Sequence, residues 1–131
     1  MKNYKIILYA CLLASIVIVL GACTVREGSI SGGKIGSNSE EIEGKYSKFT
    51  GTYYREVDFK KGTKLEMIFK TDTRKGTTIG RLETEKGKVL AVLDEEHKHG
   101  QLEIPKTATY RVYVYAKEHG GSVNLKWKTI K

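Results

Sequence analysis

Alternation of apolar and polar residues with a period of two is the feature that most constrains how this 131-residue chain can fold. In the segment 122–130, Val123, Leu125 and Trp127 alternate with polar residues. Because successive side chains of a β-strand point to opposite faces of a sheet, this pattern predicts a half-buried strand. It also predicts that Val123, Leu125 and Trp127 lie in the core.

Similar segments recur along the chain and are separated by turn-forming sequences such as KKGT, EKGK and KEHGG. The predicted strands cover residues 49–59, 64–71, 78–85, 89–93, 101–104, 109–116 and 122–130. About seven short strands with frequent turns and no helical period are typical of an antiparallel sandwich or barrel. We therefore predict an all-β, jelly-roll-like antiparallel β-sandwich of about seven strands over residues 45–131.

The last two predicted strands carry a further pattern. The run Ala108-Thr109-Tyr110-Arg111-Val112-Tyr113-Val114 is followed by a turn with Gly120-Gly121 and by Val123-x-Leu125-x-Trp127. This arrangement resembles the end of small extracellular jelly-roll modules, such as bacterial pre-peptidase C-terminal domains and some carbohydrate-binding modules. The resemblance implies a jelly-roll fold. The acidic calcium-binding pattern of some of those modules is missing here.

The N-terminus predicts export from the cytoplasm. Two lysines precede an apolar run over residues 6–20, and Leu20-Gly21-Ala22-Cys23 follows. A basic start, a short apolar core and small residues at its end form a secretory signal, here residues 1–22. A transmembrane helix needs about 20 apolar residues, so this run is short for one.

The sequence Leu20-Gly21-Ala22-Cys23 also resembles the lipobox of bacterial lipoproteins. The resemblance implies cleavage before Cys23 and attachment of lipid to its thiol. It implies that the protein is anchored by this lipid at the extracytoplasmic face of the cell membrane. Cys11 would be removed with the signal, so we expect no disulfide and no cysteine metal site in the mature chain.

Residues 24–44 have a different composition, with five glycines and four serines and no apolar period. Such a segment is typical of a flexible linker. We therefore predict that residues 23–44 comprise the lipidated Cys23 and a tether to the domain 45–131.

The chain is basic, with 23 Lys and Arg residues against 15 Asp and Glu residues and a net charge of +8. The lysines are scattered and form no basic block, so we predict no nucleic-acid partner. A diffuse positive surface suits anionic lipid headgroups or wall polymers. Alternatively, the positive surface serves only to keep the protein soluble.

Two groups of side chains are candidate binding sites. Outward parity places Tyr54, Arg111, Tyr113 and Tyr115 on the surface, where aromatic rings can contact a sugar or a protein. The alternative is that tyrosine is simply favoured in strands.

The second group comprises His97, His99, His119 and Glu96, in predicted loops over residues 72–77, 94–100 and 117–121. If consecutive strands are antiparallel, these loops share one end of the domain, and their side chains are suitable metal ligands. The alternative is that histidine and glutamate lie there because loops are solvated.

No motif of a hydrolase elbow, phosphate loop or zinc protease is present, and no cofactor is predicted. The sequence thus predicts a non-catalytic envelope module that binds a glycan, a wall polymer or an envelope protein. A metal-binding lipoprotein is the alternative, and a weak hydrolase is a third hypothesis.

Overall fold

The computed structural model describes residues 24–130, and every regular element in that range is a β-strand. The strands are β1 (Thr24–Ser31), β2 (Lys34–Ser37), β3 (Glu41–Phe59), β4 (Lys64–Thr84), β5 (Val89–Leu93), β6 (His99–Glu103) and β7 (Ala108–Ile130). The predicted all-β antiparallel fold is confirmed. The predicted signal peptide 1–22 and Cys23 lie outside the described residues. Within residues 24–130 no helix is long and apolar enough to span a membrane.

Strand β7 is the centre of the sheet. It pairs with β3 over residues 108–126 on one side and with β4 over residues 110–130 on the other. The strand order is β1-β3-β7-β4-β5, with β2 also paired to β3 and β6 also paired to β4. Each of the long strands β3 and β4 therefore holds two short edge strands, one at each of its ends.

Each long strand bends near its middle, where regular pairing is interrupted. The register of β3 against β7 shifts between Tyr46 and Gly51, and that of β4 shifts within 73–77. Gly121 of β7 has a φ of +136°, and a Cβ there would lie 1.8 Å from the carbonyl oxygen of Asp72. Only glycine allows the two backbones to approach this closely.

The bends fold the single sheet into two halves. The first half consists of residues 34–46, 64–72, 99–103 and 122–130, and the second half of residues 24–31, 49–59, 78–93 and 108–116. Their inner faces are in contact, because a Cβ on Gly80 in the second half would lie 3.0 Å from Leu125 in the first. The folded sheet is therefore a sandwich, as the alternation predicted.

The core lies between these inner faces. Val123, Leu125 and Trp127 are 2%, 0% and 4% exposed, so the predicted burial of these three side chains is confirmed. Val112 and Val114, from the other half of β7, are fully buried opposite them. One strand thus supplies apolar side chains to both halves of the core.

Tyr110 joins the end of the core to its adjacent turn. Its hydroxyl donates a 2.5 Å hydrogen bond to the carbonyl oxygen of Lys106, while its ring centre lies 5.9 Å from that of Phe59. A tyrosine that binds backbone a few residues upstream is a known corner in Greek-key sandwiches. The corner fixes the turn that precedes β7.

Four predicted strands are in fact two. The predicted strands 64–71 and 78–85 are both part of β4, and the predicted strands 109–116 and 122–130 are both part of β7. The intervening segments TDTRKG and KEHGG are bends within continuous strands. Their glycine and polar residues permit a bend, which composition alone does not distinguish from a turn.

The prediction of a flexible tether over residues 24–44 is wrong. Residues Thr24–Ser31 pair with residues 48–55 of β3, and Lys34–Ser37 pair with residues 42–45. Pairing is made by backbone groups, so glycine and serine do not prevent it. A Cβ on Gly28 would lie 2.1 Å from the carbonyl oxygen of Thr50, so glycine is required there.

We predict that Trp127→Ala lowers the free energy of unfolding by about 3–5 kcal/mol, because it leaves a large cavity between the halves. Urea denaturation followed by circular dichroism measures this change. Lys126→Ala on the exposed face of the same strand is the control and is expected to shift stability by about 0.5 kcal/mol or less. An equal loss in both variants would contradict the assignment of Trp127 to the core.

Candidate functional site

The predicted tyrosine cluster lies on the outer face of the second half. Tyr54 of β3 is the register partner of Tyr113 in β7, and Tyr113 is the partner of Arg81 in β4. Val25 and Val92, from edge strands β1 and β5, complete this row at its two ends. The row therefore crosses five strands, and its outward parity follows from the buried parity of the core residues.

The neighbouring rows add Tyr115, Arg111 and Glu83 on the same side of the sheet. We call the set Tyr54, Arg81, Glu83, Arg111, Tyr113 and Tyr115 the aromatic face. Sequence parity identified four of these residues. It missed Arg81 and Glu83, because the segment 78–85 showed no clear alternation before the partners of β4 were known.

The rings of the aromatic face pack against one another. The ring centres of Tyr113 and Tyr115 are 5.0 Å apart and nearly parallel, at 19°. Tyr54 lies 4.8 Å from Tyr113. The guanidinium of Arg81 lies 4.7 Å from the Tyr115 ring centre, and that of Arg111 lies 4.8 Å from the Tyr54 ring centre. These contacts hold the rings in defined positions before any ligand is bound.

A buried carboxylate stabilises one side of the cluster. Glu83 is only 6% exposed and accepts a 2.7 Å hydrogen bond from the hydroxyl of Tyr115. Its second neighbour is Arg81, at 3.9 Å. Burial, with this hydrogen bond to Glu83, raises the pKa of Tyr115 and so favours its neutral phenol.

The two arginines are held by rings more than by hydrogen bonds. Arg111 donates to the hydroxyl of Tyr113 at 3.5 Å, which raises the pKa of Arg111. The Nε atoms of Arg81 and Arg111 are buried and have no hydrogen-bond partner among residues 24–130. Both guanidinium groups are thus fixed charges beside aromatic rings, with donor capacity that the described chain does not use.

A shallow groove of about 470 Å³ adjoins Tyr115. It lies between the aromatic face and the bends, and its lining includes Thr50, Thr52, Arg81, Tyr115 and Lys117. Hydroxyl groups and two cations therefore surround one aromatic ring. A larger groove of about 980 Å³ along β2 is lined by residues 32–38, 41 and 43–45 and has no aromatic side chain.

Two exposed valines extend the aromatic face towards the edge of the sheet. Val89 is 42% exposed and Val92 is 48% exposed, and both belong to β5. The strand β5 was predicted from a continuous apolar run, which is typical of a central strand buried on both faces or of a twisted strand. The outer side of β5 is instead open to a partner.

The three histidines occupy three different environments. His97 is exposed, and its Nδ1 lies 3.2 Å from Asp94, whose pKa is lowered by a hydrogen bond from the His97 backbone. His99 belongs to β6, not to a loop, and its Nε2 lies 3.4 Å from Glu66. Glu96 is exposed and donates its backbone N–H to Asp94.

His119 was predicted in a loop but is fully buried at the bend of β7. Its Nδ1 lies 2.7 Å from the hydroxyl of Tyr46, and its Nε2 lies 2.8 Å from Oγ1 of Thr73. Thr73 in turn donates to the carboxylate of Glu95. Thr73 then accepts from Nε2–H, which leaves Nδ1 to accept from Tyr46. Burial raises the pKa of Tyr46 to about 12 and lowers that of His119.

Of the loops predicted to share one end, 72–77, 94–100 and 117–121 do contribute neighbouring side chains, Thr73, Glu95 and His119. These side chains form a chain of hydrogen bonds and not a metal site. Within residues 24–130 no group of three His, Cys, Asp or Glu side chains could hold a metal ion. His97, His99 and Glu96 are paired elsewhere. The geometry gives no support to the metal-binding alternative.

No family model matches the sequence, and no curated protein matches it. Several solved structures are similar to this chain at low identity. The CBM1 module of BiXyn10A in its apo form has 14% identity and a TM-score of 0.48, covering 80% of this chain and 87% of its own.

A second carbohydrate-binding module, CBM6cm-2 of Cellvibrio mixtus lichenase 5A in complex with cellotriose, has 10% identity and a TM-score of 0.43, covering 83% of this chain and 98% of its own. A structure of accessory secretory protein 1, 2 and 3 of Streptococcus pneumoniae has 14% identity and a TM-score of 0.41, with coverage of 82% and 99%.

We predict that His119 makes stability depend on pH below about 6.5, the pKa of an unperturbed histidine. Burial lowers the pKa of His119 in the folded protein, so the unfolded chain binds more protons in this range. The free energy of unfolding is therefore highest above the unfolded-state pKa and falls as the pH falls towards the folded-state pKa.

Urea denaturation at several pH values between neutrality and about pH 5 measures this dependence. His119→Asn should flatten it, whereas His97→Asn, on an exposed histidine, should leave it as in the parent. If the free energy of unfolding of His119→Asn depends on pH as strongly as that of the parent, another group is responsible.

Proposed function

We propose that this protein is a non-catalytic binding module displayed on the outer surface of a bacterial cell membrane. The observation that carries the proposal is the aromatic face, where Tyr54, Tyr113 and Tyr115 are fixed in place by Arg81 and Arg111. Binding surfaces gain affinity when their side chains are ordered before the ligand arrives. A sheet face that served only as a solvated surface would not require this packing.

The groove beside Tyr115 favours an anionic glycan or wall polymer as the ligand. Arg81 and Lys117 supply positive charge, and Thr50 and Thr52 lie in the same lining. Hydroxyl groups can exchange hydrogen bonds with a polyol or a sugar, and cations favour its phosphate or carboxylate groups. Because the rings already face one another and the guanidinium groups, the cations and hydroxyls contribute more than stacking of a sugar on an open ring.

A protein partner is the second candidate, and the exposed Val89 and Val92 support it. They lie at the edge of the aromatic face and add apolar area to a surface already rich in tyrosine and arginine. Tyrosine and arginine, together with tryptophan, are enriched among the residues that dominate binding energy in protein interfaces. A glycan would contact the groove beside Tyr115, and a protein partner would contact the valines of β5. Variants of the two regions therefore distinguish the two candidates.

Anchoring to the membrane is supported by the sequence Leu20-Gly21-Ala22-Cys23 after a basic and apolar N-terminus. Two acyl chains on Cys23 would supply stable attachment, since each buried methylene contributes about 0.8 kcal/mol. The binding module would then act within reach of the cell wall and of other envelope proteins.

We predict that the double variant Arg81→Gln/Lys117→Gln weakens binding of a soluble anionic wall polymer at least about tenfold, which corresponds to about 1.4 kcal/mol. Isothermal titration with polyglycerol phosphate, and with neutral gluco-oligosaccharides for comparison, measures the effect. Lys45→Gln/Lys70→Gln, on the outer face of the first half, removes the same charge and should bind as the parent does.

Equal weakening in both double variants would mean that net charge alone attracts the polymer, and the groove would have no role. Failure of the parent to bind any polymer, with loss of a defined protein partner in Val89→Thr/Val92→Thr, would favour the second candidate.

We predict that Cys23→Ser abolishes incorporation of lipid and releases the protein from membranes, because no other acceptor remains after cleavage. Metabolic labelling with an alkyne fatty acid and membrane fractionation measure both effects. Cys11→Ser lies within the predicted signal and should keep parental labelling. Membrane association of Cys23→Ser at the parental level would contradict a lipid anchor.

A further inference from the structure

Three turns meet at the end of the sandwich opposite the bends. The turn 60–63 joins the turn 104–107 through hydrogen bonds from Gly62 N to the Ile104 oxygen (2.9 Å) and from Ile104 N to the Thr63 oxygen (2.8 Å). The turn 85–88 shares with 105–106 and 108–110 the lining of a cavity of about 400 Å³. We call these three turns the lysine pole.

The lysine pole is strongly basic and fully accessible. Its turns carry Lys60, Lys61, Lys86, Lys88 and Lys106, all of them exposed, against one acidic residue, Glu85. None of the five forms an ion pair with a carboxylate of residues 24–130. The adjoining strand ends add Asp58 and Glu103 against Lys64, and the connection 38–40 towards the same end adds Glu40, so a positive excess remains.

The opposite end of the sandwich has no such excess. Its bends and the connection 94–98 contain Lys48, Asp72, Arg74, Lys75, Asp94, Glu95, Glu96, Lys98, Lys117 and Glu118. Basic and acidic residues there are equal in number, and Lys48 and Glu118 form an ion pair at 3.8 Å. The positive charge of the sandwich is therefore concentrated at one end.

The direction of β1 relates this end to the lipid attachment point. Thr24, the first residue of β1, pairs with Arg55, and Ser31 pairs with Lys48, so β1 runs away from the lysine pole. Cys23 is bonded to Thr24, and consecutive Cα atoms are about 3.8 Å apart. Four residues of strand, about 13 Å, separate Arg55 from Phe59 at the pole.

The short distance between Thr24 and the lysine pole matters because no flexible segment lies between Cys23 and β1. Because β1 begins at Thr24, directly after Cys23, the described chain leaves no linker that could raise the sandwich from the bilayer. A lipid on Cys23 would bring the nearest lysines within about one or two Debye lengths of the headgroups, since that length is about 8 Å at physiological ionic strength. Anionic headgroups attract lysines at such a range.

We propose that the lysine pole docks on the anionic lipid surface of the membrane in which Cys23 is anchored, and so fixes the orientation of the sandwich. The inference rests on the lipid anchor of the proposed function. Charge complementarity and the position of Thr24 both identify a lipid surface as the occupant. The aromatic face then stands beside the membrane and not against it, which leaves it open to a ligand.

Lysine footprinting of the full lipidated protein tests this orientation. The protein is reconstituted into phosphatidylcholine vesicles, with or without an equimolar amount of phosphatidylglycerol, and treated with an amine-acetylating reagent. Mass spectrometry then gives the modification rate of each lysine. We expect anionic vesicles to slow modification of the five pole lysines several-fold, while Lys48, Lys75, Lys98 and Lys117 at the opposite end react as in neutral vesicles.

Flotation of the chain that begins at Thr24 separates failure of the docking from failure of the anchor. That chain keeps all seven strands and every core contact described above. It should bind anionic vesicles in a salt-dependent manner. Changing the five pole lysines to glutamine should weaken this binding at least tenfold, and changing Lys45, Lys48, Lys70, Lys75 and Lys98 to glutamine should not.

Equal footprinting at both ends, or equal loss of binding in both quintuple variants, would overturn the docking even if Cys23 carries lipid. Protection of the pole by soluble polyglycerol phosphate, with none from vesicles, would assign the pole to a wall polymer and also overturn it. An unlipidated Cys23 peptide in the mass spectra would overturn the orientation. Flotation would then test the charge of the pole alone.

Discussion

The structure depends on the close approach of the paired strands β4 and β7 at their bends. A Cβ on Gly121 would lie 1.8 Å from the Asp72 oxygen, and a Cβ on Gly76 would lie 2.0 Å from the Glu118 oxygen. Because both positions are glycine, the long strands can change direction with only local interruptions of their pairing. The folded sheet then encloses its own core, and the described residues 24–130, which contain no cysteine, form this core without a disulfide. The buried Tyr46–His119–Thr73 chain satisfies the polar groups that this bend removes from solvent.

The alternation of the sequence predicted which side chains are buried, and it did so because parity survives any error in strand length. Trp127 and Leu125 keep inward parity whether β7 is one strand or two. Continuity of the strands could not be predicted, since a glycine-containing bend and a turn have the same composition. The strands of residues 24–37 were missed because an edge strand pairs through backbone groups, and its composition carries little signal.

The aromatic face shows the same limit. Outward parity placed Tyr54, Tyr113 and Tyr115 on one surface, and this arrangement followed from local pattern alone. The partners that order these rings, Arg81 and Glu83, come from β4, and only the register of β4 against β7 brings them there. The three histidines do not form the predicted metal site. Loops at the same end of a domain need not direct their side chains towards one point. His119 points into the core, whereas His97 is exposed to solvent.

The bends also separate the turns at the end of the sandwich from the broad faces that the strands form. The turns 60–63, 85–88 and 104–107 lie at the end opposite the bends, so their lysines gather there without any contribution from the strands. Strand side chains with outward parity form the broad faces, at right angles to that end. The orientation that we propose for these turns would leave the aromatic face unobstructed, while β1, which begins near the same end, would keep the sandwich close to a lipid on Cys23. A longer tether would weaken this coupling, because a flexible segment of about 20 residues would let the sandwich move by roughly 25 Å.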